Sequence, residues 1–216
     1  MAAIIPYGDT PPKHLSQEVS SVLQRGGLVA VPTETFYALA VNPFDETALH
    51  RLATVKGRGE DKPILVLLDS PRTLSSFAAS VPPGASILME AFWPGALTIL
   101  FPARSSLPRG LTGGSGLVGL RLSPCEPLRE LLMLAGPLTG TSANRTGAPP
   151  AQTARDVQQA LGGDVDLIID AGPTPGGPPS TVVEAGEPAR LVREGAIPGL
   201  RLAESLRAGG FSLKNA

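Results

Sequence analysis

The sequence predicts an α/β fold, in which short buried strands alternate with amphipathic helices. Short, wholly apolar runs indicate strands that are covered on both faces. Between these runs lie segments whose apolar residues recur at helical spacing. The 25 glycines and 23 prolines in 216 residues indicate the tight turns that such an alternation requires. A hydrophobic content of 42% is enough for a folded core and excludes a disordered chain.

Helices are predicted where apolar spacing coincides with a suitable capping residue. Asp45 fits the N-cap of a helix that ends between Lys56 and Gly59. Ser123-Pro124-Cys125-Glu126 fits a capping box with proline at the first helical position, which predicts a helix through Leu134. Ser70-Pro71 is expected to open a further helix. The remaining predicted helices cover residues 14–25, 84–92, 153–161 (with Asp156 at its third position) and 198–208.

The apolar runs predict strands on both sides of each helix. They cover residues 28–31, 64–68, 97–101, 117–122, 137–141, 166–170, 181–184 and 190–193. A proline- and glycine-rich stretch, residues 172–179, interrupts this pattern. Too few strands follow it to build a second domain, so we interpret the stretch as a long surface loop rather than a linker.

Composition and charge exclude several classes of function. The net charge of −1 gives no overall electrostatic attraction to nucleic acid or to an acidic membrane. His14, His50 and the single cysteine, Cys125, make a zinc site very improbable. The sequence contains no P-loop and no nucleophile elbow. We see no signal peptide or apolar run of membrane-spanning length, and therefore expect a cytoplasmic location and no membrane partner.

Two short motifs predict a site for phosphate groups. In Lys56-Gly57-Arg58, the lysine supplies a mobile charge and the arginine a planar fork that holds two phosphate oxygens. Ser142-Ala143-Asn144 adds neutral hydrogen-bonding groups from a turn. The alternative is that Lys56 and Arg58 end a helix and complement its dipole, and spacing alone does not decide between the two.

Further polar residues stand at the ends of predicted strands, where α/β proteins form their ligand crevices. The segment from Pro32 to Tyr37 follows the first strand, although a simple turn would use the same residues. Arg121 lies within an apolar strand and therefore needs an anion, either a protein carboxylate or a ligand. Ser180 precedes one late strand and Arg193 ends another.

Taken in order, these motifs resemble the signature of the YrdC-type threonylcarbamoyl-AMP synthases. The matching segments are Pro32-Thr-Glu-Thr-Phe-Tyr37, Lys56-Gly-Arg58, Phe92-Trp-Pro-Gly-Ala-Leu-Thr98, Arg121, Thr141-Ser-Ala-Asn144, Ser180-Thr-Val-Val183 and Arg193-Glu-Gly195. The resemblance implies a single α/β domain over residues 14–198, with a twisted mixed sheet and flanking helices around a deep basic cavity. Residues 1–13 would then be an N-terminal extension and residues 199–216 a C-terminal helix and tail.

The resemblance also implies a reaction. L-threonine, bicarbonate and ATP, assisted by Mg²⁺, would give threonylcarbamoyl-adenylate and pyrophosphate. Partner proteins would then transfer the threonylcarbamoyl group to position 37 of tRNA as the t6A modification. The residues implied for ATP and its phosphates are Lys56, Arg58, Lys62, Ser142, Asn144 and Arg193, with Lys56 and Arg58 as the catalytic pair. Those implied for threonine and bicarbonate are Thr33, Thr35, Tyr37, Arg121, Thr141 and Ser180. No residue is expected to bind a metal ion.

The sequence departs from the family pattern mainly on the amino-acid side. The departures are Ala38, Ala40, Gly59, Leu117 and Cys125, together with the absence of a histidine in residues 66–68. Two alternatives therefore stay open: a paralogue that adenylates another carboxylated substrate, and a protein of the same fold that binds double-stranded RNA. The chain's charge argues against RNA as the main ligand.

Overall fold

A computed structural model of the chain describes residues 1–8, 13–59 and 61–215. The strands are β1 Ala3–Pro6, β2 Val29–Val31, β3 Ala38–Ala40, β4 Leu65–Leu67, β5 Leu97–Pro102, β6 Leu117–Arg121, β7 Leu138–Thr139, β8 Thr141–Ser142, β9 Leu167–Asp170, β10 Thr181–Glu184, β11 Ala189–Arg193 and β12 Leu213–Asn215. The helices are α1 Lys13–Gln24, α2 Glu46–Lys56, α3 Pro83–Phe92, α4 Arg109–Thr112, α5 Glu126–Ala135, α6 Ala154–Leu161 and α7 Gly199–Ala208. The predicted α/β class is confirmed.

The strands form two mixed sheets rather than one. The smaller sheet has the order β1-β9-β2-β3-β8, and the larger has the order β12-β11-β10-β5-β6-β4-β7. Parallel and antiparallel neighbours occur in both, for example β2 with β9 and β2 with β3. The two terminal segments contribute edge strands, since β1 pairs with β9 and β12 with β11.

Two apolar clusters hold the sheets. One contains inward residues of the larger sheet, including Ile99, Phe101 and Leu120, together with Leu39 and Ile168 of the smaller sheet. The other packs the apolar faces of α1 and α5 against the smaller sheet. Because side chains alternate along a strand, the residues between these core positions point to the opposite face of the larger sheet. That second face carries the polar residues described below.

Several predicted boundaries are confirmed at their caps. The Asp45 side chain accepts a hydrogen bond from the Ala48 amide at 3.1 Å, and α2 begins immediately after Asp45. Gly57 ends α2 in the left-handed conformation, with φ of 59°. The Thr153–Asp156 capping box starts α6. In the described part of the chain, no helix is long and apolar enough to span a membrane.

The helix predicted to open at Ser70-Pro71 is present as a 3₁₀ helix, Pro71–Ser76, with Ser70 at its N-cap but without a side-chain capping bond. Two other local predictions were wrong. The capping box at Ser123 does not form: α5 starts only after Cys125, and the Ser123 hydroxyl, which donates to the Glu34 carboxylate, accepts from the Cys125 amide at 3.1 Å rather than from an amide of the helix. The single strand predicted at residues 137–141 is divided at Gly140 between β7 and β8, which belong to different sheets.

Candidate functional site

A cavity of about 350 Å³, here called the central cavity, lies between the two sheets. Its floor is the second face of the larger sheet, where Thr98 and Leu100 of β5 stand beside Gly119 and Arg121 of β6. Gly119 leaves the space open, because a Cβ there would come within 3.2 Å of the Leu100 side chain. On the side of the smaller sheet, the cavity is lined by the segment before β3 and by β8. Of the predicted site residues, the lining contains Thr33, Thr35, Tyr37, Arg58, Arg121, Thr141, Ser142, Ser180 and Arg193.

Lys56 and the Ser142–Asn144 turn are locked together, although 86 residues separate Lys56 from Ser142. The Lys56 ammonium donates to the Ser142 carbonyl at 2.5 Å, to Asn144 Oδ1 at 2.9 Å and to Ser142 Oγ at 3.3 Å. In return, the amide and hydroxyl of Thr146 both donate to the Lys56 carbonyl at 2.9 Å. Lys56 is buried and lies just outside the cavity lining, which it reaches through Ser142. Burial, reinforced by the nearby Arg58, lowers the pKa of Lys56 to about 8.

Arg58 lines the cavity directly, one residue beyond the glycine that ends α2. Its Nη2 donates to the carbonyls of Lys62 at 2.7 Å and Pro63 at 3.1 Å, so the loop that follows holds the guanidinium in place. The Lys62 side chain is not part of the lining. The loop itself rests on Gly113, where an added Cβ would lie 2.5 Å from the Asp61 carbonyl oxygen. The lysine–arginine motif therefore ends a helix and also places its arginine at the cavity, and binding of phosphate by this motif stays a prediction.

Arg193 and Ser180 form the opposite wall. Arg193 Nη2 donates to the Ser180 carbonyl at 2.8 Å. The Ser180 hydroxyl lies 3.0 Å from the hydroxyl of Thr98, and both side chains are buried. Thr98 is a cavity residue that the sequence motifs contained but to which no role was assigned.

Arg121 faces a protein carboxylate, which is one of the two anions that the sequence left open for it. Its Nη1 lies 3.5 Å from Glu34 Oε1, while the Ser123 hydroxyl holds the other oxygen of Glu34. Arg121 is only 4% exposed, and its Nε has no hydrogen-bond partner among the described residues. Burial lowers the pKa of Arg121; Glu34 opposes that effect and Arg193 adds to it. An unpaired donor therefore remains on a buried cation that lines the cavity.

The remaining predicted residues divide between turn-forming and cavity-facing roles. The Thr33 hydroxyl accepts from the amides of Thr35 and Phe36 and donates to the Phe36 carbonyl at 2.7 Å, so Thr33 builds the turn before β3. The Tyr37 hydroxyl donates to the Gly172 carbonyl at 2.8 Å and thereby fastens the proline- and glycine-rich loop. Burial raises the pKa of Tyr37 to about 12. Thr141 lies at the cavity edge and is partly exposed.

The charged side chains in the described lining of the central cavity are all basic. Among the described residues that line it, three are arginines (Arg58, Arg121 and Arg193) and none is acidic. No group of three or more His, Cys, Asp or Glu side chains converges anywhere in the described ranges, so those ranges hold no cage for a metal ion. An anionic, extended ligand with hydroxyl or amine groups matches this lining. Lys56, Asn144 and Lys62 support the wall from outside it.

Comparison with known proteins finds relatives that match most of the chain. The sequence model of the Sua5/YciO/YrdC family, described as "Telomere recombination", matches residues 21–195. A Mycobacterium tuberculosis relative is 38% identical over 193 residues and 88% of each chain. The threonylcarbamoyl-AMP synthase of Pyrococcus abyssi is 38% identical over 178 residues, and the present chain spans about half of its length (52%).

The fold agrees as well. The crystal structure of P. abyssi Sua5 complexed with L-threonine superposes with a TM-score of 0.90 and 32% identity, covering 98% of this chain and 62% of that one. The family match spans far more than half of the chain, and the relatives exceed 30% identity over most of it. The chain therefore belongs to the Sua5/YciO/YrdC family.

Proposed function

We infer that this chain is an L-threonylcarbamoyladenylate synthase, which forms threonylcarbamoyl-AMP and pyrophosphate from L-threonine, bicarbonate and ATP. Relatives that cover most of the chain carry this name, and a solved relative binds L-threonine. The observation that carries the inference is a cavity with three arginines and several hydroxyls but no acidic residue among its described lining. The product would serve the t6A37 modification of tRNA in the cytoplasm, completed by partner transferases.

We assign two sets of residues in and around the cavity to the two larger substrates. Lys56, Arg58, Lys62, Ser142, Asn144 and Arg193 would hold ATP, with Lys56 and Arg58 nearest the reacting phosphates. Thr33, Thr35, Tyr37, Arg121, Thr141 and Ser180 would surround threonine and bicarbonate, with the unpaired Nε of Arg121 available to the amino-acid carboxylate. The catalytic domain would extend over residues 14–198, with the terminal segments as edge strands.

The reaction needs positioning and charge neutralisation rather than a protein nucleophile. The threonine amine attacks the carbon of bicarbonate, and loss of water leaves a carbamate. A carbamate oxygen then attacks the α-phosphorus, and the bond to the bridging oxygen of the β-phosphate breaks to release pyrophosphate. Both partners are anions, so the arginines lower the barrier by screening their repulsion and stabilising charge on the leaving group. Mg²⁺ would enter with ATP, held by phosphate oxygens and water, and would supply further neutralisation there.

The test is pyrophosphate release by the purified protein with ATP, Mg²⁺ and bicarbonate, measured with and without L-threonine. We expect release that requires both threonine and bicarbonate, with threonylcarbamoyl-AMP detected by mass spectrometry. L-valine, which matches the shape of threonine but lacks its hydroxyl, is the control substrate. Release that ignores threonine, or that is as fast with another amino acid, would contradict the threonine assignment and favour a paralogue with a different substrate.

A further inference from the structure

Two buried hydroxyls face each other on the floor of the central cavity. Thr98 lies on β5, and Ser180 immediately precedes β10, which pairs with β5 in parallel so that Val182 is opposite Thr98. The two side chains are 4% and 6% exposed, and their oxygen atoms are 3.0 Å apart. Within the part of the chain that the structure describes, each hydroxyl has the other as its hydrogen-bond partner.

Ser180 is therefore held by two hydrogen bonds, one to a residue proposed to bind ATP and one on the side proposed to bind threonine. Its carbonyl oxygen accepts from Arg193 Nη2 at 2.8 Å, and its hydroxyl is bonded to Thr98. A hydroxyl donates one hydrogen bond and accepts two, so the Ser180 oxygen keeps capacity for a ligand after it bonds to Thr98. Thr98 is β-branched and has a restricted side-chain torsion, which makes it a fixed partner for the freely rotating serine hydroxyl.

We propose that Thr98 is a positioning residue that orients the Ser180 hydroxyl towards the amino-acid substrate. The proposal rests on the proposed function, since it assigns the Ser180 hydroxyl to threonine. Thr98 acts only through Ser180 and leaves Arg193 alone, because the arginine is anchored on the backbone oxygen. Removing the Thr98 hydroxyl should therefore weaken threonine binding and spare ATP binding.

The test compares Thr98→Val with Thr98→Ser in steady-state pyrophosphate release. Valine keeps the branched shape and removes the hydroxyl, whereas serine keeps the hydroxyl. One buried hydrogen bond is worth roughly a three- to tenfold change in binding. We expect Thr98→Val to raise the KM for L-threonine by about that factor, with the KM for ATP and kcat changed less than about twofold. Thr98→Ser should stay close to wild type.

A matched control separates positioning from general stability. Thr112→Val removes another buried threonine hydroxyl, on α4 and outside the central cavity, and should leave both KM values unchanged. An unchanged threonine KM in Thr98→Val overturns the proposal. An equal rise of the KM values for threonine and ATP in Thr98→Val also overturns it. The same holds if Thr112→Val raises the threonine KM as much, or if Thr98→Ser is as impaired as Thr98→Val. If wild-type protein shows no threonine-dependent release of pyrophosphate, the proposed function itself is overturned. The role proposed for Thr98 is then overturned as well, because it rests on that function.

Discussion

Replacing Lys56 with methionine should separate the contribution of this residue to stability from its contribution to function. Methionine is close to lysine in length and fills the same buried space without a charge. The two main acceptors of the Lys56 ammonium both keep another donor: the Ser142 carbonyl accepts from the Asn144 amide at 2.9 Å, and Asn144 Oδ1 accepts from the Ser142 hydroxyl at 2.6 Å. The substitution therefore leaves no orphaned acceptor in the turn.

The expected change in stability follows from the lowered pKa of Lys56. A decrease from 10.5 to about 8 means that folding disfavours the ammonium by about 3 kcal/mol at neutral pH. Methionine removes this cost, and the lost hydrogen bonds offset part of the gain, so we expect Lys56→Met to be as stable as wild type or up to about 3 kcal/mol more stable. The folded-state pKa of Lys56 lies below the unfolded value, so the whole free-energy cost of burying the ammonium is present in wild type below pH 8. This cost decreases as pH rises from 8 towards 10.5, because the folded protein then buries a neutral amine. The difference in stability between the two proteins should decrease over the same range.

The expected functional change has the opposite sign. One lost charge-assisted contact to phosphate costs about 1.5–3 kcal/mol, which corresponds to a rise of roughly 10- to 150-fold in the dissociation constant for ATP. Isothermal titration calorimetry of ATP binding gives that constant, and denaturant unfolding at pH 7 and pH 10 gives the stability. Lys214→Met, on the exposed edge strand β12, is the control for the loss of one lysine charge and should change neither quantity.

Two outcomes would refute this reasoning. Wild-type affinity for ATP in Lys56→Met would remove Lys56 from the phosphate site. A loss of several kcal/mol in unfolding free energy would show that the ammonium stabilises the fold, as a structural residue does, and that its burial carries no net cost. A protein that is stable but deficient in ATP binding is the result that supports a lysine kept for function.

Three further predictions use the same cavity. In wild type, the affinity for ATP should be constant below pH 8 and fall by up to about tenfold per pH unit above it, because Lys56 loses its proton there. An affinity that stays constant up to pH 9.5 would contradict the assignment of Lys56 to the phosphate site. Glu34→Gln leaves the buried guanidinium of Arg121 without its carboxylate, which should lower the free energy of unfolding by about 3 kcal/mol. The melting temperature should therefore fall by about 6–12 °C. An unchanged melting curve would show that the ion pair contributes nothing to stability. Gly113→Ala, at a φ of 59°, should displace the loop that holds Arg58 and raise the KM for ATP more than that for threonine, whereas equal effects would indicate general unfolding.

The sequence predicted the elements whose signals are local. The caps at Asp45 and Thr153 lie within one turn of the groups they bind, so composition at fixed spacing was sufficient. Ser123 shows the limit of that logic. Its hydroxyl donates to Glu34, which lies 89 residues away in sequence, and accepts from the Cys125 amide, which precedes α5. The neighbours of a capping residue do not reveal such a long-range partner.

The strands that were missed depend on pairing rather than on propensity. Ala38–Ala40 has neither β-branched residues nor alternation, yet it forms β3 because β2 and β8 supply hydrogen bonds on its two edges. The edge strands β1 and β12 likewise exist through a single neighbour each. Gly140, where the chain passes from one sheet to the other, packs closely against a residue 73 positions away, since a Cβ there would lie 2.6 Å from the Leu67 side chain.

At the site, the sequence predicted which residue types assemble but not what holds them. Lys56, Arg58 and Arg193 all donate hydrogen bonds to backbone carbonyl oxygens, supplied by Ser142, by Lys62 with Pro63, and by Ser180. No side-chain pattern reveals a carbonyl acceptor, because every residue carries one.

This mode of support has a chemical consequence. A carboxylate partner would fix a cation in place and cancel its field, whereas a carbonyl fixes it and leaves its charge available to an anionic substrate. Among the described arginines of the cavity lining, Arg121 is the one that forms an ion pair with a carboxylate, and at 3.5 Å Glu34 balances its charge without occupying its Nε. The described lining is thus held largely by neutral groups and contains no acidic side chain, which suits the proposed reaction between two anions.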